Sequence, residues 1–483
     1  MKKADIKSCS LANMISYSTG DGMVSLVMNS IYGFAMLYYT DALGLKPSLA
    51  GIAMFVASLW DAVSAPIMGY ITDNTRSRFG RRHPYLLFGG VGMVITFYFL
   101  WAVPGTFKTS HTILFWYLVV MNLALRTFCT VFVIPFMALG FELCNDYEGR
   151  TKLQSIRTIV GMAVNLCGPA LSWSIFFQNN TAMRATNNPV NFINMGTSFS
   201  LVAFFFVILV IFSTMKYIED SRNITPNSRL HGFWADMKEI IQDKFPRWVF
   251  MFMFVVILGI TLVSSLQMYL YEHFMKFSGI QKSIAHGGTM IGTAIGAAMA
   301  TGLTKIFDKK KATVLAVIGS IICNLILAIL LLPGWLKPDQ LILLGGLKIP
   351  FVFILFVLFH SSYWVSNGII LPISASMMAD VSEINEIQTG VNKDGSYSAV
   401  YSFISGLGGS VGALFSGYAL TMIGFAGTEE FVTSDVAWRL CAVTLLVGPF
   451  ISMLASILIM KYPVTISLLN EFRSRKQTEI IKK

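Results

Sequence analysis

Apolar residues run in long stretches separated by short polar connections, with no sustained period-two alternation that would point to strands. The stretches fall at 14–40, 48–72, 84–105, 112–141, 152–178, 194–217, 246–275, 281–304, 313–333, 346–378, 394–424 and 435–462. A helix of about 20 apolar residues crosses the hydrocarbon of a bilayer, so the pattern predicts an all-α membrane protein with twelve spans. The longest polar stretch, 218–245, divides the chain into a six-helix bundle over 1–217 and a second over 246–462, with a tail at 463–483. The first stretch is longer than a signal-peptide core of about 7–15 residues and contains polar positions, so it is expected to be a retained helix.

Charge placement orients these spans. Arg76, Arg78, Arg81 and Arg82, then Arg150 and Lys152, then Lys305 and Lys309 to Lys311 occupy alternate connections, and both termini carry lysines or arginines. The positive-inside rule puts those connections and both termini in the cytoplasm. The segment Gly302 to Lys311, after the eighth span, echoes Gly69 to Arg82, after the second. A duplicated half follows, and two such halves rocking about a midplane site is a transporter architecture.

Composition narrows the class further. With 55% hydrophobic and 13% charged residues over 483 positions, and a mean hydropathy of +0.65, the chain lacks the polar surface of a soluble globule. The net charge of +11 is explained by the loop arginines and lysines, so nucleic acid is not expected as a partner. Six cysteines show no CxxC spacing and read as free thiols. No HExxH or Walker-type phosphate-loop motif stands out, so no enzyme activity and no cofactor are expected.

Polar side chains inside the spans supply the candidate chemistry. Ionisable groups near a bilayer centre are costly and usually face a cavity or a partner. Asn122, Arg126 and Thr130 recur at i, i+4 and i+8 on the fourth span; Asp21, Ser25 and Asn29 do so on the first, and Arg157, Gly161 and Asn165 on the fifth. Three stripes suggest one shared aqueous cavity. Asp61 lies in mid-span, and Arg126 is its expected counter-charge, with recognition of an anionic substrate as the other role open to that arginine. Gln267, Tyr271, His360, Tyr363, Trp364 and Asn367 offer amides, hydroxyls and aromatic faces in the second half, although aromatic residues in spans more often pack or anchor. At the cytoplasmic ends, Asp73 with Arg76, Arg81 and Arg82 is read as a gate that pairs across the halves, with Glu142, Asp380 and Glu383 as candidate partners.

Trp60-Asp61-Ala62-Val63-Ser64-Ala65-Pro66-Ile67-Met68-Gly69, followed by Asn74 to Gly80, resembles the glycoside-pentoside-hexuronide cation symporters of the major facilitator superfamily. Tyr38-Tyr39-Thr40-Asp41, Ile134-Pro135-Phe136 and Ala379-Asp380-Val381-Ser382-Glu383 fit the same family. The resemblance implies the major facilitator fold and symport of a sugar or glycoside with a proton or sodium ion. It implies a cation site at Asp61 and Thr130 and a sugar contact near Arg157. The family's second carboxylate in that span is replaced by Ala65, its sugar-binding Asp by Val133 and the neighbouring Trp by Met137. Uncoupled diffusion or carriage of a lysolipid on the same fold are the alternatives. The expected setting is a cell membrane, with a monomeric chain, lipid around it and a small-molecule substrate.

Overall fold

The computed structural model describes residues 10–143, 147–178, 184–215, 238–240, 243–336, 340–344, 347–390, 394–426, 432–464 and 467–474. The expected linker at 218–245 lies mostly outside these residues. The chain divides into two compact units, one formed by Met1–Leu230 with Ala426–Glu430, the other by His231–Phe425 with Phe431–Lys483.

In the first unit the helices are α1 (Leu11–Ser30), α2 (Pro47–Asp73), α3 (His83–Trp101), α4 (His111–Leu143), α5 (Tyr147–Leu171) and α6 (Pro189–Thr214). The second unit contains α7 (Lys244–Tyr269), α8 (Gly279–Leu331), α9 (Phe351–Thr389), α10 (Asp394–Met422) and α11 (Ser434–Met460). Helix α8 holds two of the predicted spans. It breaks at Asp308, whose φ of 63° and ψ of 157° are not helical and fall in a region that few residues other than glycine occupy. Among the described residues ten helices, α8 counted as one, are long and apolar enough to cross a membrane by length and composition. The more polar α1 continues through two π-helical turns to Ala42, and each apolar window is helical over most of its described length, with non-helical residues at window ends such as 102–104 and 177–178. Leu341–Leu344 pairs antiparallel with Leu347–Pro350 before α9 begins, so residues 347–350 of the tenth window are strand.

The two units repeat one packing scheme. In the first, α1 packs on α5 and α6, α4 on α2 and α3, and α3 on α6. In the second, α7 packs on α10 and α11, while α8 packs on α9 and α11, which is the same set of neighbours six spans later. Local backbone repeats as well. The first span ends in a π turn at Tyr38–Ala42 and the seventh in one at Leu270–Phe274. Leu45 N–H donates to the Tyr39 carbonyl and Phe277 N–H to the Tyr271 carbonyl, positions 232 residues apart. Gly44 (φ 69°) and Lys276 (φ 50°) hold the same left-handed turn between them.

Small residues let the helices approach closely. A Cβ on Gly368 of α9 would lie 2.2 Å from the Thr293 carbonyl oxygen of α8. With no hydrophobic driving force between helices in lipid, such backbone proximity supplies the dispersion contacts that hold the bundle.

Candidate functional site

The polar stripes of the first unit pair helix to helix. On α1 and α5 they meet rung by rung. Arg157 donates from Nε to Asp21 Oδ2 at 2.6 Å and from Nη2 to Oδ1 at 3.0 Å, a bidentate match of guanidinium to carboxylate. One turn on, Gly161 faces Ser25, and a further turn on, the amides of Asn29 and Asn165 bond each other. The i, i+4, i+8 spacing on each helix makes this register possible, because every fourth residue returns to the same face. Arg157 also bonds Gln154 Oε1 at 3.3 Å and stacks over Phe136 at 4.9 Å and Tyr17 at 5.8 Å.

The α4 stripe turns to other partners. Asn122 donates to the Tyr39 hydroxyl at 2.7 Å. Arg126 donates from Nη1 to Asp61 Oδ2 at 2.6 Å and to the Tyr32 hydroxyl at 3.2 Å, with its guanidinium 5.2 Å above the Tyr32 ring. Thr130 shares a hydrogen bond with Ser64 at 3.2 Å, while Ser64 also donates to the Asp61 carbonyl at 3.3 Å. Thr130 and Asp61, expected together at a cation site, are therefore linked through Ser64 rather than directly. The shared cavity expected from three stripes is organised as two pairings, α1 with α5 and α4 with α2 and the α1 tyrosines. Tyr17, Tyr32, Tyr39 and Ser64 join the site without being expected there; the ring carbons of the three tyrosines conceal them in a hydropathy pattern.

Both ion pairs share an asymmetry. The arginine side chains are enclosed, Arg126 at 6% and Arg157 at 5% exposed, whereas the carboxylates stay open, Asp61 at 32% and Asp21 at 25%. Asp61 uses one oxygen on Arg126 and keeps Oδ1 without a hydrogen-bond partner among the described residues. Arg126 Nε is buried and unpartnered among them as well. The site thus presents negative charge toward open space and keeps its positive charge behind it. Among the described residues no three His, Cys, Asp or Glu side chains cluster to hold a metal ion.

The second unit contains a neutral network instead. His360 Nε2 and Gln267 Oε1 are 2.8 Å apart, and the Trp364 indole N–H lies 3.3 Å from both. Trp364 is 9% exposed and packs against Val263 and Tyr363. Gln267 Nε2, Tyr271 OH and His360 Nδ1 are buried without a partner among the described residues, so they are available to water or a polar ligand.

The predicted gate residues are dispersed. Arg76 is exposed, Arg81 half-buried and Arg82 buried; the side chains of Asp73 and Glu142 lie outside the described residues. Asp380 and Glu383, expected to meet cations of the first half, bond cations of their own unit. Lys309 reaches Asp380 Oδ2 at 2.5 Å, and Arg473 clasps Glu383 at 2.7 and 2.8 Å. The break at Asp308 brings Lys309 beside α9, which explains the first of these pairs.

A mid-span arrangement of charge pairs in a duplicated helical bundle defines a membrane transporter, and comparison with known proteins specifies which kind. Residues 4–466 match the family model for MFS/sugar transport proteins, and the chain belongs to that family. It is 25% identical over 454 residues to the inner membrane symporter YicJ of Escherichia coli (strain K12), covering 94% of this chain and 92% of that one. It is 21% identical to the isoprimeverose transporter of Lactiplantibacillus pentosus, covering 86% and 81%. Among solved structures, the nucleoside transporter NupG superposes with a TM-score of 0.65 at 13% identity, covering 93% and 98%, a likeness of fold. The protein is accordingly a multi-pass membrane transporter of the major facilitator fold that handles a small-molecule substrate.

Proposed function

We propose that this chain carries a sugar or glycoside across the membrane together with a cation, exposing its polar site to the two faces in turn. The observation that carries the reading is the Asp61–Arg126 pair, a mid-span carboxylate open to space and held by an enclosed guanidinium. Arg126 serves as a built-in counter-ion. It neutralises Asp61 when no cation is bound and releases it when a proton or sodium ion arrives, so the carboxylate is never left unpaired in lipid. The free Asp61 Oδ1, with the hydroxyls of Ser64 one turn further on α2 and of Thr130 across on α4, supplies oxygen ligands for such an ion. Hard cations take oxygen ligands.

Asp21 and Arg157 supply the substrate side. A bidentate carboxylate–guanidinium pair flanked by Tyr17 and Phe136 offers acceptors and donors at fixed spacing beside aromatic faces, which suits the alternating hydroxyls and apolar faces of a sugar ring. The relatives that span most of the chain include a named isoprimeverose transporter, which supports a glycoside as cargo. By the positive-inside rule both termini lie in the cytoplasm, and the chain acts as a monomer in a bacterial inner or other cell membrane.

Uptake into vesicles containing the purified chain tests the proposal. Labelled isoprimeverose, xylosides and neutral glycosides are offered under an imposed sodium gradient, an imposed proton gradient, or neither. Accumulation above the outside concentration is expected with one gradient, and Asp61→Asn is expected to retain exchange across the membrane while losing accumulation. Equal uptake under all three conditions, or undiminished accumulation by Asp61→Asn, rules the coupling role out.

A further inference from the structure

On the outer face of the first unit, α3 lies recessed between α4 and α6. The recess is a groove of about 870 Å³, lined almost wholly by apolar side chains that include Phe79, Leu87, Phe88, Phe128 and Ile211. That volume is within the range of about 300–1,000 Å³ in which proteins hold discrete ligands. Gly92 makes the groove possible. A Cβ there would stand 2.3 Å from the Phe128 ring, so the glycine lets that ring lie down as the floor, edge-on to Phe88 at 5.4 Å. One end of the groove is cationic. Phe79 is both a lining residue and the ring beneath the Arg78 guanidinium, 4.7 Å away. Arg78 and nearby Arg76 are exposed, and neither forms an ion pair among the described residues. No residue of the two carboxylate–guanidinium sites lines this groove.

We propose that the groove is a binding site for one anionic two-chain glycerophospholipid, an acyl chain lying along α3 and the phosphate meeting Arg78 with Arg76 behind it. The charge argument selects the ligand. An apolar trough in lipid takes any acyl chain, but an unpaired guanidinium stacked on the trough's terminal aromatic favours a headgroup with net negative charge. The positive-inside rule places that end at the cytoplasmic leaflet, where anionic lipids supply such headgroups. Bound there, the lipid ties the cationic turn 74–82 to the outer face of α3. This proposal does not depend on what the protein transports.

Native mass spectrometry of the delipidated full-length chain, titrated with phosphatidylglycerol or phosphatidylcholine of identical acyl chains, provides the test. One phosphatidylglycerol should be retained about thirtyfold more tightly than phosphatidylcholine, given two arginines at the membrane surface. The double variant Arg76→Gln/Arg78→Gln should bring the two lipids together. Leu87→Trp fills the groove and should remove retention of both lipids while helical circular dichroism and melting temperature hold; Ile95→Trp, at the far end of the groove, is the second filler should Leu87→Trp fold poorly. Equal retention of the two lipids by the unaltered chain overturns the proposal. So does phosphatidylglycerol retention that survives the arginine and tryptophan variants, or a lipid-free dimer that Leu87→Trp dissociates.

Discussion

The two units share a packing scheme and differ in where they place charge. In that scheme the α2–α4 contact of the first unit corresponds to the α8–α9 contact of the second. Asp61 meets the Arg126 guanidinium on α4, whereas Thr293 meets the bare backbone of Gly368 on α9. One frame therefore supports an ion pair in the first unit and a close backbone contact in the second. The remaining mid-span chemistry follows the same division: Asp21 and Arg157 in the first unit, and the neutral Gln267–His360–Trp364 network in the second. Duplication conserves what the backbone needs. Side chains are then free to specialise: the first unit holds its buried ion pairs in mid-span, whereas the second holds Glu272–Lys282 near span ends and a neutral network in mid-span.

That division is broken most sharply at Arg126. Arg126→Gln leaves the Asp61 carboxylate without its cation, and we expect gradient-driven uptake in vesicles to fall about tenfold to a hundredfold, the equivalent of roughly 1.5–3 kcal/mol for a charged hydrogen bond. The double variant Asp61→Asn/Arg126→Gln should recover thermal stability, because both charges are removed, without recovering accumulation. If the double variant accumulates substrate as the unaltered chain does, charge specialisation in the first unit is wrong.

At the equivalent contact in the second unit the expected effect is structural. Gly368→Ala places a methyl 2.2 Å from the Thr293 carbonyl oxygen, and overpacking of this kind costs about 1–3 kcal/mol. The melting temperature of the detergent-solubilised chain should drop, while the ion dependence of residual uptake stays as before. A change of ion dependence would show that the second unit also takes part in coupling.

The smallest effect is expected in the neutral network. Gln267→Leu removes a side chain that bonds His360 and Trp364 and leaves Nε2 idle. Losing neutral hydrogen bonds costs about 0.5–1.5 kcal/mol, so apparent substrate affinity should weaken about threefold to tenfold, read from the concentration dependence of uptake. An abolished gradient response in this variant would erase the distinction between the units.

Much of this architecture is legible in the chain itself. Apolar runs of span length, cationic connections and the echo of Gly69–Arg82 in Gly302–Lys311 determined twelve helical spans in two related halves, because hydropathy and loop charge are local properties that lipid enforces directly. The i, i+4, i+8 stripes were equally visible, since helical periodicity places such residues on one face. Which face meets which neighbour was decided only by packing. Asp21, Ser25 and Asn29 zip to Arg157, Gly161 and Asn165, Thr130 meets Ser64 rather than Asp61, and Asp380 pairs with Lys309 across the break at Asp308. The recess over α3, walled by Phe128 of α4 and Ile211 of α6, belongs to the same class of features. Each depends on the distance between segments far apart in sequence, a quantity that no local window of residues contains.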